Sequence, residues 1–218
     1  NEFEKRRGYD LKLYIKNIVS NAKDELTARI KSDYRQTLSD LLLENFANKY
    51  TAWVHGKKSI NTNESHGSPA NILDIYAAVD IPEGEIFGSS HFNFSGIRRD
   101  SADIRNVDPD PIMLQFASSA AHVMGKPLVS LETFTWLTEH FKTSWSQCKP
   151  EVENAFLAGM NHVFYHGTTY SPKEVAWPGW LFYASVNFVP TNSLWPHIKG
   201  LNEYVTRCQS VLQAGTSD

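Results

Sequence analysis

Short apolar runs of strand character alternate with helical-period segments along this 218-residue chain, and that alternation limits the possible folds more than any other feature. A short helical or turn-rich segment occupies 10–20. Helical spacing then runs over 24–49 through Leu26, Ile30, Tyr34, Leu38, Leu41 and Phe46, with charges on the other side. Tyr50-Thr-Ala-Trp-Val-His55 is rich in β formers and stops at Gly56, so it reads as a strand. The polar stretch 56–69 reads as a loop, 70–78 as a short helix, and 80–88 as a strand broken by Pro82 and Gly84. After a long loop over 89–110, Asp110-Pro111 opens a helix that runs to Met124 and stops at Gly125. Leu128, Val129 and Leu131 form the next strand, Pro150 begins a helix to about Met160, and 161–166 is a further strand. A loop rich in Pro, Gly and Trp fills 171–196 before the last helix, 196–213.

Such alternation implies a parallel sheet with crossover helices. The expected fold class is therefore α/β, a (β/α) barrel of the TIM type or part of one. Four or five strands are legible, and a full barrel closes with eight. In these folds the site is built where strands end and the next helix has not begun. The apolar run Lys126-Pro-Leu-Val-Ser-Leu-Glu132 ends there in a carboxylate, which either projects into a site or carries a desolvation cost. Thr133, Phe134, Thr135 and Trp136 follow, and an aromatic wall beside Glu132 would suit a sugar face and raise an acid's pKa. The upstream segment Asp80-Ile-Pro-Glu83-Gly-Glu85 supplies a partner. Glu83 and Glu85 are read as pointing to opposite sides of an extended segment, so at most one of them is expected to share a face with Glu132, while Pro82 and Gly84 blur the register of Asp80. Two facing carboxylates are the minimum equipment for acid–base work on a glycosidic bond.

Other chemistries find less support. The net charge of −3, with acids and bases interspersed, gives no electrostatic case for nucleic acid or an anionic membrane. No apolar run approaches the ~18 residues of a spanning helix. Cys148 and Cys208 lack metal or redox spacing and read as two unrelated thiols. There is no phosphate-binding glycine loop and no nucleophile elbow. His66 and His166 each stand at a strand end before a glycine, where a ligand can approach the backbone, but no third ligand is evident. A metal-dependent hydrolase built on them is one rival reading, and a non-catalytic carbohydrate-binding barrel fragment is another. Trp177-Pro-Gly-Trp180 lies among turn residues and reads as an exposed platform for sugar stacking.

The ordered set FEKRRGYDL, DYRQTLSDLLLENF, ESHGSPANILDIYAAVDIPEGEIFG, ASSAAHVMGKPLVSLETFTW and GMNHVFYHGTTYSP, closing on PGW and YVTRCQSVLQAG, resembles the catalytic region of glycoside hydrolase family 106. That family comprises α-L-rhamnosidases of gut bacteria that degrade plant glycans. The resemblance runs from about Phe3 to Gly215 and implies a (β/α)-barrel acting on terminal rhamnose with two carboxylates and inversion. The resemblance puts Glu132 and Glu85 on the family's acidic positions and His66, Asn161 and His166 on its polar ones. We take Glu132 as general acid and Glu85 as base, with His66, Asn161 and His166 binding the sugar and Trp177 or Trp180 stacking on it. No protein-ligated metal is read from spacing; a calcium ion at the sugar site is a cofactor the resemblance implies. So are the remaining domains of a larger parent chain and a periplasmic or secreted location.

Overall fold

The computed structural model describes residues 1–86, 110–135, 141–182 and 186–215. The chain opens on short helices α1 (Glu2–Arg7) and α2 (Ile15–Val19) and the long α3 (Glu25–Leu42). Asp24 caps α3 by accepting from the Thr27 backbone N–H at 2.8 Å. A π turn over 43–47 carries α3 directly into α4 (Asn48–Gly56). Residues 50–55, expected as a strand, are therefore helical. Ala47 and Val54 bury the inner side of this helix, while Thr51 Oγ1 donates to Ala78 O at 3.0 Å and the His55 ring meets Asp80 at 2.8 Å. Those contacts override the β propensity of Tyr, Thr and Val.

From there helix and strand alternate: β1 (Thr62–Glu64), α5 (Ile72–Ala78), β2 (Ile81–Glu85), α6 (Pro111–Val123), β3 (Ser130–Thr133), α7 (Trp145–Leu157), β4 (His162–Tyr165) and α8 (Ile198–Leu212). All neighbouring strands pair in parallel, in the order β1-β2-β3-β4. The expected α/β architecture is present as a four-stranded parallel sheet, which is consistent with part of a barrel. The Asp110–Pro111 start of α6 holds, with the Asp110 carboxylate accepting from Ile112 N at 3.0 Å. Helix α7 starts before Pro150, at Trp145, so the proline lies inside it. The stretch 56–69, expected as a loop, contains β1. The loop expected over 89–109 lies outside the described residues, as does Trp136. Both cysteines are free thiols. Among the described residues no helix is long and apolar enough to cross a membrane.

Helices cover one face of the sheet. Ile86, Val129, Leu131 and Met160 pack against Leu114, Ala117 and Ala121 of α6 and Ala155 of α7. A second cluster joins Phe134, Val163 and Tyr165 to Val152 of α7, Leu201 and Val205 of α8, and Phe188. Gly84 makes the first packing possible, because a Cβ there would stand 2.8 Å from Met160 Cε and 3.0 Å from Leu114 Cδ2. Alternate residues turn to the opposite face. In register these are Glu64 and Glu83, Glu83 and Ser130, Glu85 and Glu132, then Glu132 and Phe164. The face is polar and only partly buried, whereas parallel sheets usually have apolar residues on both sides.

A carboxylate cluster at the strand ends

Three consecutive parallel strands bring a glutamate to the same edge: Glu64 closes β1, Glu85 closes β2, and Glu132 stands one residue from the end of β3. One carboxylate oxygen from each lies within 4.8 Å of one from each of the other two. This edge is the C-terminal one, as expected, and Glu85 and Glu132 face each other across the β2–β3 ladder. Glu83 also belongs to this face. Residues two apart on a strand point the same way, and β2 stays regular through Pro82 and Gly84. The expectation that at most one of Glu83 and Glu85 shares a face with Glu132 is thus corrected. Glu83 lies deeper and accepts from Ser130 Oγ at 2.7 Å.

The backbone after β3 folds back on the site. Phe134 takes a left-handed conformation at φ 72°, held by packing against Tyr165 and Phe188 at centroid distances of 5.8 and 5.5 Å. That turn lets Thr135 Oγ1 donate to Glu132 Oε2 at 3.2 Å. Phe134 is wholly buried, so it belongs to the core and not to an aromatic wall beside Glu132. From β4, His166 places Nε2 3.9 Å from Glu132 Oε1, with its ring edge-on to Phe182 at 5.0 Å. Its Nδ1 is buried with no hydrogen-bond partner.

Like charges this close cannot all ionise. Burial, then hydrogen bonding to and repulsion by Glu64, then the same from Glu132, push the Glu85 carboxyl up to about 10. Burial also raises Glu83, offset in part by the Ser130 hydrogen bond and reinforced by Glu132 and Glu64. A protonated Glu85 donates to its neighbours, whereas an ionised one would face two acceptors. The cluster must take up a proton or a cation.

The other expected site residues divide. His66 is exposed two residues beyond Glu64, on the same edge but outside the cluster. Trp177 and Trp180 are 71% and 55% exposed on the loop after β4, and Phe182, two residues on, touches His166. Asn161 does not join them. It precedes β4, at the opposite edge, where its Oδ1 accepts from Val129 N and its Nδ2 donates to Pro127 O, both at 2.9 Å. Its amide ties the starts of β3 and β4 together. Glu64 escaped the sequence reading, although its place as the last residue of Thr-Asn-Glu before Ser-His-Gly repeats the strand-then-glutamate pattern of Glu132. Among the described residues the group of three or more side chains with metal-ligand spacing is made of carboxylates, without a histidine or cysteine.

Comparison with known proteins gives the family and the fold. The profile of a family described as alpha-L-rhamnosidase, glycoside hydrolase family 106, matches residues 1–218. The chain is 26% identical over 221 residues to a "Putative beta-glucuronidase" of Formosa agariphila, across 98% of this chain and 17% of that protein. The structure of a rhamnosidase from Novosphingobium sp. PP1Y matches with a TM-score of 0.69 at 20% identity, over 98% of this chain and 20% of the other. That likeness is one of fold. The chain thus spans a fifth or less of the length of either relative.

Proposed function

Since the chain belongs to glycoside hydrolase family 106, we propose that it builds part of the active site of a glycosidase that removes terminal sugars, α-L-rhamnose foremost, from glycans. The observation that carries the proposal is the Glu64–Glu85–Glu132 cluster on the C-terminal ends of three parallel strands. The chain spans only a fraction of its relatives' length, so the activity is assigned to a larger polypeptide that includes this region.

Glu85 is the general acid. It holds a proton at neutral pH because it is buried against two other carboxyls, and a protonated carboxyl is what a departing glycosidic oxygen requires. This reverses the division of roles assigned from the sequence, with Glu132 as acid and Glu85 as base. An inverting acid and base stand about 6.5–9.5 Å apart with water between them. The Glu85 and Glu132 oxygens lie within 4.8 Å, so both groups act from one side of the sugar. Inversion then takes its base from a carboxylate across the sugar. Glu132, braced by Thr135, keeps the proton on Glu85, and His166 turns Nε2 toward Glu132 at the edge of the site. Trp177 and Trp180 supply stacking faces.

Carboxylates are hard oxygen donors of the kind Ca²⁺ takes, and with the proton on Glu85 the pair Glu64 and Glu132 would hold the ion that the family resemblance implies. When bound it would supply positive charge toward sugar hydroxyls. The test is Glu85→Gln assayed on rhamnosides of graded leaving group. Loss of general acid catalysis should cost about 10²–10⁴-fold on poor leaving groups and far less on activated aryl ones. An equal loss on both would refute Glu85 as acid, and full turnover on both would refute the site.

A further inference from the structure

A second feature lies at the other end of the molecule. Phe46, Tyr50 and Trp53 follow one another at i, i+4 and i+7 along the π turn and α4, on the side away from the body of the domain. They are 56%, 46% and 60% exposed. Successive ring centroids are 6.1 Å apart, with planes parallel to within 4° and 22°. The three side chains form one stacked row that keeps about half of its surface in solvent. The opposite side of the same helix is the one fixed to Ala78 and Asp80, just before β2 begins. The ladder therefore sits beside the N-terminal edge of the sheet, away from the glutamates.

Its charge is one-sided. Lys49, Lys57 and Lys58 are exposed along it, and Lys57 Nζ stands 5.9 Å over the Trp53 ring. Among the described residues none of the three lysines is paired with a carboxylate. Glu44, the acid beside the ladder, is held by Arg6 through two bonds of 2.9 and 2.5 Å. What remains is a row of half-exposed aromatic rings flanked by uncompensated cations.

We propose that this row is an acidic-polysaccharide platform, on which the C–H faces of successive sugar rings stack against Phe46, Tyr50 and Trp53 while carboxylate groups pair with Lys49 and Lys57. Stacked rings suit a chain of flat rings, and the unpaired lysines select an anionic chain by charge complementarity. A neutral glycan would leave the lysines unused. The platform holds the polymer without touching the strand-end glutamates, so it stands whatever sugar those glutamates cleave.

The test is affinity electrophoresis of the full-length protein in gels containing polygalacturonate, with a neutral glucan as control. Wild-type protein should be retarded by polygalacturonate and not by the glucan, and high salt should reduce the effect. Tyr50→Ala with Trp53→Ala should raise the apparent Kd about tenfold or more. Lys49→Gln with Lys57→Gln should weaken polygalacturonate binding alone. All four positions are exposed, so the variants should fold, and their turnover of a small aryl rhamnoside should match wild type. No retardation, equal retardation by the glucan, or variants that behave as wild type would overturn the proposal. So would sedimentation showing that the same substitutions instead dissolve a dimer, since the rings would then serve a second copy of the chain.

Discussion

Gly84→Ala is the most direct test of how the fold places the glutamates. Gly84 is buried in β2 between Glu83 and Glu85, on the face that meets α6. The added Cβ would stand 2.8 Å from Met160 Cε and 3.0 Å from Leu114 Cδ2, where carbon contacts settle at about 3.5–4.0 Å. Each neighbour must therefore retreat by roughly 0.5–1 Å. Both atoms are the ends of flexible side chains, and the nearest backbone atom, Leu114 Cα at 3.8 Å, is already at ordinary contact. The strain is therefore partly relieved, and overpacking of this kind costs about 1–3 kcal/mol. For a chain of this size that lowers Tm by about 2–4 °C per kcal/mol, readable by calorimetry. Met160→Ala alone should cost about 2–5 kcal/mol by leaving a cavity. The double variant should cost at least about 1 kcal/mol less than the two combined, because the new Cβ occupies the space Met160 gave up. An unchanged Tm in Gly84→Ala, or strict additivity in the double variant, would refute this account of β2 and its glutamates.

The Glu85 carboxyl is raised in the folded state from the ordinary carboxyl value of 4.5 to about 10, so its contribution to stability is complete below pH 4.5 and declines as pH rises toward 10. In chelator-containing buffer, wild-type Tm should fall more steeply between pH 5 and 9 than that of Glu85→Gln, whose amide is neutral throughout; parallel slopes in a pH series would contradict the shared proton. Asn161→Ala should lower Tm by leaving Val129 N and Pro127 O without their partner, at about 1–3 kcal/mol, while KM stays at the wild-type value. A raised KM at unchanged stability would return Asn161 to the sugar site.

Much of this fold was legible because its signals are local. Asp110, Pro111 and Gly125 bracket α6 through caps that involve only neighbouring residues. Alternation gave the parallel sheet and three of its strands, β2, β3 and β4, and an apolar run ending in Glu132 gave the functional edge. Residues 50–55 were misread because their β propensity is real but weak. A helix already running through 25–47, anchored to Ala78 and Asp80, costs less to extend than to stop. Strand β1 is three residues long, too short for periodicity to register, and Glu64 went unnoticed with it. Asn161 reads as a site residue from its place in the Asn-His-Val-Phe-Tyr-His-Gly motif, but it stands at the beginning of β4, at the edge opposite the glutamates.

By itself the sequence determined the layered α/β class, the edge on which chemistry would be found, and two of the three clustered glutamates. These follow from hydrophobic period and from where strands end, which are properties of contiguous residues. Only the tertiary structure decided that Glu64, Glu85 and Glu132 meet within 4.8 Å. Their spacing across β1, β2 and β3 depends on register between segments 19 to 47 residues apart, as the pairs Thr62 with Ile81 and Glu85 with Glu132 show. That register also decided the chemistry, because carboxyls brought this close must share a proton or a cation, and neither is visible in residues read one at a time.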